Sequence, residues 1–152
     1  ILAKDLGRYS PAAVSVTPPP QSASDRPRAR ILCVDDEPMI LASLRRLLQN
    51  EYDVTGASSG IEALGLLERG AHFDLVICDL MMPHMTGMDL FARMTERFPA
   101  VAERVVFLTG GAFTPKARQF LAEADRTFLE KPIDSHVLRK LIAERTARAQ
   151  VA

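Results

Sequence analysis

The sequence predicts an α/β fold, a parallel sheet covered by helices on both faces. Three observations carry this prediction. Short apolar runs alternate with helical stripes five times along the chain, the pattern of strand-then-helix repeats joined by right-handed crossovers. The runs Ile31-Leu32-Cys33-Val34, Leu75-Val76-Ile77-Cys78 and Val105-Val106-Phe107-Leu108 are apolar at every position, so both of their faces need cover. Each of these three runs also ends directly in polar residues: Asp35-Asp36, Asp79 and Thr109.

Residues 1–29 stand apart from the repeats. Pro18-Pro19-Pro20, Ser22, Ser24 and Pro27 cannot form a helix or a central strand. Extended as polyproline, residues 18–27 reach roughly 30 Å at ~3.1 Å per residue, the behaviour of a linker. Before them, Ala13-Val14-Ser15-Val16-Thr17 reads as one strand orphaned from a preceding domain. Arg26, Arg28 and Arg30 cluster without interleaved aromatics, which fits a solvated linker edge better than a phosphate-binding arm.

The elements then follow in order. After the first strand, Glu37-Pro38 opens a helix with Pro in its first turn, and Ile40, Leu44, Leu47 and Leu48 form its stripe. Tyr52 to Ala57 alternates as a weaker strand. Ser59 and Glu62 have capping-box spacing, with Ile61, Leu64 and Leu67 on one face behind them. The strand Leu75 to Cys78 delivers Asp79, and Pro83 and Gly87 break the chain. Met88, Phe91, Met94 and Phe98 mark a third helix that Pro99 ends. The fourth strand, Val105 to Leu108, runs into Thr109-Gly110-Gly111. Thr114-Pro115 is an N-cap and first helical residue, followed by Ala117, Phe120, Leu121 and Ala124. Thr127-Phe128-Leu129 is the last strand. It leads to Glu130-Lys131-Pro132 and to a helix capped by Asp134 or Ser135, with Val137, Leu138, Leu141 and Ile142 inside.

Composition bounds what such a fold can do. The 152 residues suit one domain with a tail, which buries roughly two-thirds of its unfolded surface. Nineteen basic residues balance nineteen acidic ones, so no global charge argues for nucleic acid or an anionic membrane. No apolar run approaches the ~20 residues of a membrane span, and nothing at the start has the pattern of a signal peptide. Cys33 and Cys78 sit inside apolar runs and read as small buried hydrophobes of a reducing compartment, not as a disulfide framework. The chain opens on Ile1 rather than Met, and a longer parent protein is expected.

Ligands of open parallel sheets bind beyond the carboxyl ends of the strands, where strand order reverses. The groups offered there are Asp35 and Asp36, Asp79, Thr109 and Lys131; the second strand ends at Ala57-Ser58 without an obvious reactive group. If the strand order is 2-1-3-4-5, the first and third strands are neighbours and three carboxylates converge. Two like charges ~4 Å apart repel by about 4 kcal/mol at an effective dielectric of ~20, so the cluster calls for a proton or a cation. An all-oxygen set suits a hard divalent ion, Mg2+ above all. A metal, an Asp nucleophile, a lysine and a hydroxyl are the parts for forming an aspartyl phosphate. Each part alone is common in turns and caps; their placement at successive strand ends is what singles them out.

Val34-Asp35-Asp36-Glu37-Pro38, Asp79-Leu80-Met81-Met82-Pro83 with Gly87, Thr109-Gly110-Gly111 and Lys131-Pro132 together resemble the response-regulator receiver domain of two-component signalling, over about residues 28–148. The resemblance implies a flavodoxin-like (βα)5 fold with strand order 2-1-3-4-5. It implies that Asp79 accepts a phosphoryl group from a histidine kinase or a histidine phosphotransfer protein. Asp36 and Asp79 would bind Mg2+ directly, Asp35 mostly through water, with the backbone carbonyl of Met81 as a further ligand. Lys131 would pair with the phosphoryl oxygens, Thr109 would swing to hydrogen-bond them, and Phe128 would turn inward as Thr109 moves. Phe128 can also be read as a plain core aromatic. The Lys131-Pro132 bond is expected to be cis. Gly110 would leave room for the phosphodonor. Met81 and Gly111, two residues after Asp79 and Thr109, carry no group to orient attacking water, so the phosphoryl group is not expected to be short-lived. His72, His84 and His136 lack metal-type spacing.

The motifs from Thr109 to Phe113 and Leu129 to Pro132 also resemble receivers at the carboxyl end of hybrid histidine kinases. On that reading residues 1–29 are a linker or tail that can include the end of a preceding kinase ATPase domain, residues 30–148 are the receiver and residues 149–152 a C-terminal tail. The setting would be a bacterial cytoplasm, with no nucleic-acid or membrane contact by this segment. A homodimer would form through the face of the fourth helix, fifth strand and fifth helix. Two other classes stay open. A metal-dependent phosphatase with an aspartyl-phosphate intermediate would normally carry a second acid where Met81 stands. A phosphate-independent interaction module would share the fold without the switch.

Overall fold

A computed structural model describes residues 27–111, 114–124 and 126–151. The strand expected at residues 13–17, the linker up to Arg26 and the pair Ala112-Phe113 lie outside the described residues.

Five strands form one parallel sheet in the order β2-β1-β3-β4-β5. They are β1 (Arg30–Val34), β2 (Asp53–Ala57), β3 (Leu75–Asp79), β4 (Val105–Thr109) and β5 (Phe128–Glu130). Between and after them lie α1 (Pro38–Leu48), α2 (Gly60–Glu68), α3 (Gly87–Arg97), the short α4 (Pro99–Ala102), α5 (Pro115–Glu123) and α6 (Ser135–Val151). This is the flavodoxin-like arrangement that the resemblance implied. Successive strand residues face opposite ways, and the core divides accordingly. Ile31, Cys33, Leu75, Ile77, Val106 and Leu108 pack with Leu44 and Leu48 of α1 and Leu138 and Ile142 of α6. On the other face Leu32, Val34, Val76, Cys78 and Phe107 pack with α2, α3 and α5. Every residue of β3 and β4 is buried, which is why those runs show no alternation.

Both cysteines are buried and unpaired, as the apolar runs around them required. Removal from water pushes the Cys33 thiol up to about 12 and raises that of Cys78 as well, so neither is a ready nucleophile.

The register places the polar strand ends side by side. Val34 pairs with Cys78, one residue short of Asp35 and Asp79. Asp79 pairs with Leu108, and Thr109 pairs with Glu130. Asp35, Asp79, Thr109 and Lys131 therefore emerge from one end of four adjacent strands.

Several local expectations need correction. Ile61 is 68% exposed, whereas Gly60, Ala63, Leu64 and Leu67 form the buried face of α2. The side chain of Met85 fills the space beside Gly60, where a Cβ would come within 2.6 Å of its Sδ. The Ser59–Glu62 capping box is half formed: Ser59 Oγ accepts from the Glu62 N–H, but the Glu62 carboxylate accepts from the N–H and hydroxyl of Ser58. Pro99 ends α3 and also begins α4, a position where its missing N–H costs nothing. Ala124 is exposed. Val137 is 49% exposed, because the buried pair of α6, Leu138 and Ile142, is offset from it by one residue. Asp134 rather than Ser135 caps that helix, accepting from the N–H groups of His136 and Val137. The helix continues to Val151, through most of the expected tail.

Candidate functional site

Each functional side chain is fixed by the backbone at a strand end. Asp35 follows β1; its N–H donates to Ala57 O at 3.1 Å, and its Oδ1 accepts from the Glu37 N–H at 2.9 Å. The residue is fully buried. Asp36 is nearer the solvent. Asp79 closes β3 and is 3% exposed; the Met81 N–H reaches its Oδ1 at 3.4 Å. Thr109 closes β4 and is 2% exposed, and its Oγ1 has no hydrogen-bond partner among the described residues. Lys131 is tied to that strand end by its N–H, which donates to Thr109 O at 2.7 Å. The Lys131–Pro132 bond is cis.

The Lys131 ammonium stands among three carboxylates: Asp35 Oδ2 at 2.9 Å, Glu37 Oε1 at 3.3 Å and Asp79 Oδ2 at 3.5 Å. Carboxylate oxygens of Asp35, Asp36 and Asp79 all lie within 4.8 Å of one another. Burial, then the Asp35 charge, push the Asp79 carboxyl up to about 6, against the opposing pull of Lys131. Burial opposes the charge on Lys131, but the hydrogen bond it donates to Asp35 and the charges of Asp79 and Asp35 outweigh it and hold its pKa above the ordinary value.

This donor set fits a hard divalent cation. Asp35, Asp36 and Asp79 form the cluster and Glu37 lies alongside, against one ammonium, so negative charge is in excess around the buried Asp35 and Asp79. All its ligand atoms are oxygens, the preference of Mg2+.

The sequence-predicted residues divide cleanly. Asp35, Asp36, Asp79 and Lys131 come together, and Thr109 stands beside them. Phe128 is 39% exposed, with its backbone paired to Phe107; it is not a core aromatic. Met81 is 43% exposed. A Cβ at Gly110 would meet nothing within 4 Å, which leaves space next to Thr109. His84 is exposed, at a positive φ of 68° in the turn after β3, and is not part of the acidic cluster.

Two contributors were missed by sequence reasoning. Glu37 reaches Lys131, and its only sequence signal was its place directly after two acids. Gly87 does more than break the chain: a Cβ there would lie 2.4 Å from Asp79 O and 2.9 Å from Leu80 Cα. Glycine lets the start of α3 press against the backbone that carries Asp79, and the Gly87 N–H donates to Leu80 O at 2.9 Å.

With this geometry in view, the comparisons with known proteins are direct. The family model described as response regulator receiver domain matches residues 31–143. The chain is 39% identical over 115 residues to the transcriptional regulatory protein GlrR of Escherichia coli (strain K12), covering 75% of this chain and 25% of that protein. It is 33% identical over 118 residues to the sensor kinase CckA of Brucella abortus (strain 2308), covering 76% of this chain and 12% of that protein. The chain thus spans a quarter or less of the length of these relatives. Among solved structures, a response regulator receiver domain protein from Clostridium thermocellum superposes with a TM-score of 0.68 at 31% identity, covering 81% of this chain and 98% of that one.

Proposed function

Because the chain belongs to the response-regulator receiver family and is a receiver domain of two-component phosphorelay signalling, we propose that Asp79 is the residue that takes up the phosphoryl group. The observation that carries this reading is the convergence of Asp35, Asp36 and Asp79 around one buried strand end, with Lys131 3.5 Å from Asp79 Oδ2. In the transfer, Asp79 Oδ attacks phosphorus in line. The P–O bond forms as the P–N bond of a phosphohistidine breaks, and the departing electron pair returns to the imidazole of the donor. Lys131 meets the phosphoryl oxygens and offsets their charge. The buried hydroxyl of Thr109, without a partner among the described residues, supplies a donor once those oxygens arrive. Phe128 then follows Thr109 inward, which converts the modification into a change of surface on the α5, β5 and α6 side.

Asp36, Asp79 and the Met81 carbonyl would hold Mg2+, with Asp35 acting through water, and the ion would supply positive charge beside the transferring group. The donor is a histidine kinase or a histidine phosphotransfer protein. The parent protein is a hybrid histidine kinase working in the cytoplasm, with residues 1–29 as the linker into a receiver of residues 30–148; similarity to a sensor kinase supports this, and the gene sequence upstream of Ile1 tests it. Among the described residues no helix is long and apolar enough to cross a membrane. The homodimer expected through α5, β5 and α6 belongs to the same proposal. The phosphatase and phosphate-independent readings are not favoured, and Met81 occupies the place of the acid that hydrolytic turnover would use.

Incubating the purified protein with phosphoramidate and Mg2+ tests the assignment. One phosphoryl group per chain is expected, absent in Asp79→Ala and absent when a chelator removes the metal. Label on Asp79→Ala, or many turnovers of a phosphomonoester by the wild type, would refute it.

A further inference from the structure

The acidic cluster accounts for three carboxylates, but a fourth contacts Lys131. Glu37 occupies the N-cap of α1 with extended backbone, yet its side chain makes no capping hydrogen bond. It reaches Lys131 Nζ at 3.3 Å instead, and is 59% exposed. An ammonium has three N–H donors, and three carboxylates surround this one. A phosphoryl group on Asp79 takes over that residue's place at the ammonium, and any further oxygen it turns toward Lys131 competes with Asp35 or Glu37.

The three are not equally easy to displace. Asp35 is fully buried, and separating it from Lys131 would strand a charge away from water. Asp79 is the residue being modified. Glu37 alone faces solvent and is rehydrated at little cost on leaving. It is also the only one of the three outside the group whose oxygens could share a cation, so a bound metal would not neutralise its charge directly. Glu37 and a phosphoryl group are then like charges competing for one ammonium.

We propose that Glu37 is a positioning residue that holds Lys131 against the incoming phosphoryl group and so sets how readily Asp79 becomes modified. This rests on Asp79 being the phosphoryl acceptor. The exchange itself breaks no covalent bond: Lys131 moves an N–H from Glu37 Oε1 to a phosphoryl oxygen, and Glu37 turns to water.

Beryllofluoride with Mg2+ gives an equilibrium probe of the modified state, followed by backbone amide NMR. Glu37→Gln removes the charge and keeps the length. Glu37→Asp keeps the charge but is one methylene shorter and withdraws from Lys131. Both variants are expected to bind beryllofluoride on the order of threefold more tightly than wild type, the size of an exposed ion pair, with the gain shrinking in high salt. Labelling by phosphoramidate should speed up by a similar factor as its P–N bond breaks and the leaving nitrogen takes a proton from solvent. Unchanged or weaker binding in Glu37→Gln would overturn the proposal, as would a gain in Glu37→Gln that Glu37→Asp lacks, since charge rather than contact with Lys131 would then be responsible. A wild-type protein that binds no beryllofluoride would instead overturn the assignment of Asp79, and this proposal with it.

Discussion

At the scale of single residues, the site trades stability for chemistry. Burial and Asp35 raise the Asp79 carboxyl from 3.8 to about 6. The folded state then keeps a proton that the unfolded state has already lost between pH 4 and 6. Stability is therefore lost as pH rises through that window, and the cost is complete above it. At 1.36 kcal/mol per unit the ceiling is about 3 kcal/mol. Asp79→Asn should stabilise the metal-free protein at pH 7.5 by about 2 kcal/mol in denaturant unfolding, with the gain fading as pH falls from 6 to 4. A gain of the same size at pH 4 would contradict this cause. Thr109 offers a second case. Its Oγ1 is buried without a partner among the described residues, so replacing the hydroxyl by a methyl removes an unsatisfied group. Thr109→Val should change stability by less than about 0.5 kcal/mol while suppressing the NMR shifts that beryllofluoride induces on α5 and β5; a full set of shifts would remove Thr109 from the switch.

At the scale of elements, the strand ends and helix starts determine how precisely Asp79 is aimed. Helix α3 begins with a complete capping box, Thr86 and Asp89 satisfying each other's backbone N–H groups, and its first residue presses on Asp79 O. Gly87→Ala forces a Cβ into that contact, and overpacking of this kind costs about 1–3 kcal/mol. The expected outcome is a matching loss in denaturant unfolding together with weaker Mg2+ binding, because the displaced backbone carries Asp79, the ligand proposed above. Unaltered Mg2+ affinity would separate Gly87 from the site. This contact also marks a limit of sequence reading. Pro83 and Gly87 announce a turn, but a close backbone approach leaves no trace beyond the glycine itself. Gly60 and Ile61 show the same limit: the apolar stripe selected the isoleucine, while the core has room there only for the glycine because Met85 fills the rest.

At the scale of the whole molecule, the alternation of apolar runs and helical stripes made the layered sheet legible, since β3 and β4 are buried on both faces and show it in every residue. The polar residues directly after those runs made Asp35, Asp36, Asp79, Thr109 and Lys131 legible as one site. Strand order came from resemblance rather than periodicity, because pairing depends on contacts between distant segments. Glu37 stayed hidden for that reason too: its partner Lys131 lies 94 residues away. The open surface at Met81 and Gly111 gives the molecule a kinetic signature. Neither can orient water, so phosphorylated protein should lose its group over minutes or longer, as followed by phosphate release; decay within seconds would contradict this. The central claim is tested most directly by reducing freshly phosphorylated protein with borohydride, which converts an aspartyl phosphate to homoserine, and mapping the peptides by mass. The account predicts homoserine at position 79, formed only when Mg2+ was present during phosphorylation. Homoserine at another aspartate, or none in a protein that carries the label, would contradict it.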